Sequence, residues 1–130
     1  MIPVLPKDKI SPVLEAFTKA LKDKQFKGDI QFDLGARIAC SMDNSIYQVV
    51  PECVLYPKNK QDILHAFRVG NQTQFKDLKF SPRGGGTGTN GQSLSSGIII
   101  DCSRYMNQIL EVDSEQKWVK VQPAVVLDQL

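Results

Sequence analysis

The stretch SPRGGGTGTNGQ, residues 81–92, carries five glycines, two threonines and one arginine, with no lysine and no large apolar side chain. Such a stretch makes neither a helix nor a strand of its own, so the fold has to be built from elements that hold it at its two ends. Composition alone allows a flexible linker. The flanks argue against that reading. LKFSP, residues 78–82, reads as a short strand running into the glycines, and GIIIDCS, residues 97–103, as the most apolar strand of the chain, ending at Asp101.

The remaining elements follow from pattern. Ser11 and Pro12, with Glu15 after them, predict a helix start. Val13, Ala16, Phe17, Ala20 and Leu21 then recur at spacings of three and four, predicting an amphipathic helix that stops near Gly28. Lys7, Lys9, Lys19, Lys22, Lys24 and Lys27 form its solvated side. Residues 29–52 are weakly periodic and rich in small polar side chains, and predict turns and short helical pieces. CVLYP, residues 53–57, reads as a buried strand closed by proline. Asn59 caps a predicted helix from about Lys60 to Gly70, with Ile63, Leu64, Phe67 and Ala66 facing inward and His65 as an ordinary helix residue. Ile109, Leu110 and Val112, then Trp118, Val119 and Val121, predict a hairpin; Val125 to Leu130 reads as the opening of a helix cut short, the mark of a piece of something longer. Short strands flanked by helices give an α+β fold class.

Composition narrows the function. A net charge of +2 on 130 residues, with 42% hydrophobic and 23% charged residues, describes an ordinary folded domain and gives no support to nucleic-acid binding. Three widely spaced cysteines, Cys40, Cys53 and Cys102, and the single His65 supply no zinc or iron–sulfur ligand set and fit a reducing compartment. No run approaches the length of a membrane span and no signal peptide is visible, so the expected location is cytoplasmic, without direct membrane insertion.

Glycine removes the side chain and permits positive φ, so consecutive backbone N–H groups in residues 84–91 can converge on an anion. Arg83 offers a fixed fork of donors, or else a structural ion pair, and Thr87, Thr89, Asn90 and Ser93 offer neutral hydrogen-bonding groups. The loop is not a nucleotide-triphosphate P-loop, because Gln92 and Ser93 follow Gly91 where a lysine is required. Gly86, Gly88 and Gly91 do fit G-x-G-x-x-G, with Glu111 and Asp113 about 20 positions on. That fingerprint must open a crossover helix, and QSLSS leaves no room for one.

Three segments, SMDNSIYQVVPECVLYPKNKQDI, FSPRGGGTGTNGQSLSSGIIIDCSRYMNQILEVD and WVKVQPAVVLDQL, together resemble the N-terminal part of the FAD-binding domain of the FAD-linked oxidase family, the PCMH type related to vanillyl-alcohol oxidase and p-cresol methylhydroxylase. The chain is most similar there to the large bacterial proteins that join a flavin dehydrogenase to an iron–sulfur region, akin to D-2-hydroxyglutarate and D-lactate dehydrogenases. Residues 1–28 are expected to be an N-terminal helical segment, and the resemblance implies 29–130 as the first, incomplete part of the FAD-binding domain. It assigns Arg83, Gly84, Gly85, Gly86, Thr87, Gly88, Thr89, Asn90 and Gly91 to the loop around the FAD pyrophosphate, and Pro57 and Lys58 to the adenosine side. Ser41, Asp43 and Ser45 match the polar stretch before the first strand, as turn and cap residues or as cofactor contacts. Asp101 and Ser103 match a pin for the loop, Arg104 matches the same support or a surface ion pair, and Met106 and Ile109 are core. The loop holds no histidine, so the FAD is expected to be non-covalent, and Pro123 and Ala124 replace the family's usual alanine–glycine pair.

The implied activity is oxidation of a small D-2-hydroxy acid to the 2-oxo acid, with FAD as cofactor and with the catalytic groups and any iron–sulfur cluster in the part of the protein beyond this chain. No residue here is expected to be catalytic. The competing reading is a non-enzymatic α+β interaction module, marked by an exposed apolar patch around Trp118 and a disordered 84–91 loop.

Overall fold

The structure is a computed structural model that describes residues 10–130; Lys7 and Lys9 lie outside the described residues. Helix α1 spans Pro12–Asp23. The Ser11 side chain accepts the Leu14 N–H at 3.3 Å, and Pro12 occupies the first turn, as the sequence predicts. Its inner face is made by Leu14, Phe17, Thr18 and Leu21, so the helix is rotated from the predicted face: Val13 and Ala16 point to solvent. The Phe17 ring meets those of Phe75 and Phe80 edge-on, each at 5.6 Å between centroids. Burying Phe17 and Phe75 supplies about 1.5–3 kcal/mol apiece, and Phe80 is partly buried beside them. Lys19, Lys22, Lys24 and Lys27 are exposed.

Six strands follow: β1 (Asp29–Gln31), β2 (Cys53–Tyr56), β3 (Phe80–Arg83), β4 (Ile98–Asp101), β5 (Ile109–Asp113) and β6 (Trp118–Val121). The first four make one sheet in the order β1-β2-β4-β3, with β1 antiparallel at the edge and β2, β4 and β3 mutually parallel. Every residue of β2 and β4 is buried, which explains their unbroken apolar runs. Strand β1 lies in the stretch expected to be turns. It has three residues, DIQ, and joins the sheet through backbone pairing to β2, a bond that leaves no side-chain pattern.

Helices α2 (Leu34–Ala39) and α3 (Lys60–Gly70) complete the regular elements, with short 3-10 turns at Thr73–Phe75 and Leu127–Gln129. Asn59 caps α3 through the Asp62 N–H at 3.1 Å. The buried face of α3 is Asp62, Ala66, Val69 and Gly70, with Ile63 packed at its side, whereas Phe67 is half exposed. The predicted inner face is corrected by one residue. Asp62 decides the rotation: its carboxylate accepts the Lys27 and Lys58 N–H groups at 2.8 Å each, so a charged residue faces inward.

Strands β3 and β4 are parallel neighbours joined by residues 84–97 without a helix. The glycine stretch is itself the crossover, and no helix begins near Gly91, which removes the dinucleotide fingerprint reading. Strands β5 and β6 form the predicted hairpin, with a bulge between Ile109 and Glu111. It is tied to the rest by Ala124 N–H to Met106 O at 3.0 Å. Met106 is buried as expected; Ile109, expected in the core, is exposed because the hairpin forms a separate sheet with nothing covering it among the described residues.

Candidate functional site

Because β2, β4 and β3 run parallel, their C-terminal ends share one edge, and Tyr56, Asp101 and Arg83 stand there together. A cavity of about 400 Å³ opens at that edge among Cys40, Tyr56, Arg83, Gly84, Gly85 and Asp101. The volume is within the range of small-molecule sites. The crossover that follows Arg83 has no side chain at Gly84, Gly85 or Gly86, so the backbone itself forms one wall.

Arg83 is the centre of the arrangement. Its Nη2 donates to the carbonyl of Met42 at 2.9 Å and reaches that of Ala39 at 3.5 Å, while Nη1 is buried without a hydrogen-bond partner. A buried, charged donor with no acceptor is costly, and the natural remedy is an anion. Gly86, at φ +67°, allows this pose: a Cβ built there would stand 2.2 Å from Nη2. Ser93 Oγ, at the far end of the loop, is likewise buried and unpartnered. The loop is pinned at Gly88, whose carbonyl accepts the Asn44 N–H at 2.9 Å, and at Gln92, whose carbonyl accepts the Ser81 hydroxyl at 3.2 Å.

Thr87, Thr89 and Asn90 are exposed along the loop. Pro57 and Lys58 stand apart from the cavity lining. The Pro57 ring is fully buried, and the Lys58 ammonium lies 5.2 Å above the Tyr105 ring. Asp101 accepts the Ser103 N–H at 2.8 Å and the Ser103 hydroxyl at 2.6 Å, and takes the Cys40 thiol at 3.5 Å. Burial pushes the Cys40 thiol above its ordinary pKa, with the Asp101 charge adding to the effect, so it stays a protonated donor. Burial likewise raises the Tyr56 hydroxyl to about 12. Arg104 stacks over the Tyr56 ring at 3.6 Å and pairs with Asp29 at 3.0 Å, and the Tyr105 hydroxyl donates to the same Asp29 oxygen at 2.7 Å. Arg104 therefore serves as ion-pair partner and as cavity wall together.

The chain supplies arginine side chains and bare backbone around a cavity whose one thiol, Cys40, is held protonated against Asp101, and the described residues hold no cluster of metal ligands. The sequence reading missed the carbonyls of Ala39 and Met42 as partners of Arg83, and no side-chain signal carries them. Ser41, with its hydroxyl bonded to the Ile38 carbonyl at 2.8 Å, is a turn residue.

A family model described as FAD binding domain matches residues 51–130. The D-2-hydroxyglutarate dehydrogenase of Pantoea ananatis is 50% identical over 114 residues, which are 88% of this chain and 11% of that protein. The enzyme of the same name from Pseudomonas putida is 45% identical over the same shares. The chain thus spans 11% of the length of these relatives. A solved alkyldihydroxyacetonephosphate synthase superposes with a TM-score of 0.74 at 22% identity, over 97% of this chain and 26% of that one, a likeness of fold. Among the described residues no helix is long and apolar enough to cross a membrane.

Proposed function

The chain is a member of the FAD binding domain family, and from that premise we propose that it forms one wall of a non-covalent FAD site in a flavin-dependent oxidoreductase that oxidises a D-2-hydroxy acid to the 2-oxo acid. The observation that carries the reading is the unpartnered, buried Nη1 of Arg83 beside the bare backbone of Gly84 and Gly85. The donors fit a pyrophosphate, since a planar guanidinium and backbone N–H groups both favour phosphate oxygens. When bound, FAD supplies the electron acceptor for the oxidation. Arg83 to Gly91 would hold its charged centre, with Arg83 supplying the positive charge and the crossover excluding water along one side. Pro57 and Lys58 would shape the neighbouring strand end, Pro57 through the backbone path it fixes.

We assign the small D-2-hydroxy acid, the catalytic groups and the iron–sulfur cluster to the rest of a longer polypeptide, in which residues 29–130 are the first part of the FAD-binding domain and helix α1, Pro12–Asp23, packs on it. The names and lengths of the relatives support this. Three free, buried thiols fit a reducing compartment, and we place the protein in the cytoplasm. The exposed hairpin, with Val112 at 67% exposure, fits the alternative of an interaction module, but that alternative calls for a disordered loop and residues 84–91 are pinned.

The test is titration of the full-length polypeptide with FAD, with FMN and NAD as controls, followed by flavin fluorescence. Saturable binding that prefers FAD and weakens on Arg83→Ala supports the reading. Equal binding of wild type and Arg83→Ala overturns the role given to Arg83, and no FAD binding at all overturns the assignment.

A further inference from the structure

Glycine-rich backbone loses more freedom on ordering than any other, so a ligand that had to organise residues 84–91 would bind poorly. In this structure the loop is held beforehand from one segment, residues 39–47. The Ala39 and Met42 carbonyls take Arg83, the Asn44 N–H donates to Gly88 O at 2.9 Å, and the Tyr47 ring backs Gly91, where a Cβ would come within 3.2 Å of Cδ2. The segment keeps its own shape through two consecutive side-chain turns. Asp43 Oδ1 accepts the Ser45 N–H at 2.8 Å, and Ser45 Oγ accepts the Tyr47 N–H at 3.1 Å. The first of these turns aims the Asn44 amide at the loop.

We propose that Asp43 is a positioning residue for the site, setting the path of the glycine loop through the Asp43–Ser45 turn and the Asn44 amide before any ligand arrives. The ligand's identity rests on the FAD reading above; the geometry of the clamp does not. Two further observations bear on it. Asp43 Oδ2 is buried without a well-formed hydrogen bond, so Oδ1 carries the turn. The Ser45 hydroxyl holds this carboxyl below its ordinary pKa, with the Ser45 and Gly91 amides and the Arg83 charge adding to that effect against desolvation. Asp43 is therefore an anion at neutral pH, and it acts on the loop through its neighbours and also directly at the Gly91 amide.

The experiment compares Asp43→Ala and Asp43→Asn in the full-length polypeptide by amide hydrogen exchange and FAD titration. Asparagine keeps a carbonyl oxygen for the Ser45 N–H; alanine does not. Exchange is expected to quicken in peptides spanning 84–91 in Asp43→Ala while peptides of β2 and β4 stay protected, and in Asp43→Asn to stay near wild type. FAD affinity is expected to fall about tenfold in Asp43→Ala and by less than about threefold in Asp43→Asn. Equal losses in the two variants would overturn the turn as the cause, and an unchanged loop in Asp43→Ala would overturn the proposal. Were wild type itself to bind no FAD, the cofactor reading would fall and the exchange comparison alone would decide the role of Asp43.

Discussion

Replacing Gly86 by alanine tests the centre of the site with one methyl group. Gly86 sits at φ +67°, and a Cβ there would overlap the Arg83 guanidinium at 2.2 Å from Nη2. Placing a side chain in the left-handed region costs about 1 kcal/mol. The arginine end is flexible and can move away, but moving breaks its 2.9 Å bond to the Met42 carbonyl, a charged hydrogen bond worth about 1.5 kcal/mol. The loss together is about 2.5 kcal/mol, which in a chain of this size lowers the melting temperature by about 10 °C. The displaced guanidinium also takes its free arm with it, so FAD affinity should fall by about tenfold or more. Thermal melting followed by circular dichroism reads the first effect and flavin fluorescence the second. Gly85→Ala is the control: its φ is not positive, and its Cβ meets only the Thr87 methyl at 3.6 Å. That variant should melt within about 2 °C of wild type. If Gly86→Ala melted like Gly85→Ala, the coupling of Gly86 to Arg83 would be refuted.

Asp62→Ala strands the Lys27 and Lys58 amides, and urea denaturation should show a loss of about 3 kcal/mol. Burial pushes the Cys53 thiol up to about 12, so a thiol reagent at neutral pH should leave Cys53 unlabelled in the folded chain and label it once guanidinium unfolds the protein. Asp29 is held below its ordinary 3.8 first by the Tyr105 hydroxyl and then by Arg104 and Lys58, against a desolvation cost. A depressed carboxylate stabilises the fold above its unfolded pKa and loses that contribution as pH falls through the folded value. Tyr105→Phe should therefore be less stable than wild type at about pH 6, with the gap narrowing as the pH falls below 3.8, as urea melts across that range would show.

The sequence signals that worked are those set by local chemistry. Ser11, Pro12 and Asn59 mark helix starts, and the runs at 53–56 and 98–101 mark strands buried on both faces. Where the reading failed, the deciding partner lay far along the chain. Strand β1 exists because Asp29–Gln31 pairs with Val54–Tyr56 through backbone groups, and the rotation of α3 follows from Asp62 capping amides as distant as Lys27. Ile109 is expected in the core alongside Met106, yet the hairpin leaves it open. At the site, the arginine and glycines were visible as residue types. That Arg83 spends one arm on main-chain carbonyls and keeps the other unspent was not, since carbonyls carry no residue identity.

The order β1-β2-β4-β3 also sets a timetable for folding. The central strand of the parallel set, β4, is the last of the four to be synthesised, and it alone joins β3 to the rest of the sheet. Until residues 98–101 emerge, β3 has no hydrogen-bonding neighbour in that sheet, and β2 has an open edge facing solvent. The sheet therefore closes in one late step that must bear the entropy of the whole 84–97 connection, with no helix to fold early and shorten it. A nascent chain stalled between Arg83 and Ile98 would present two unpaired strand edges, the state in which this sequence is most exposed to aggregation.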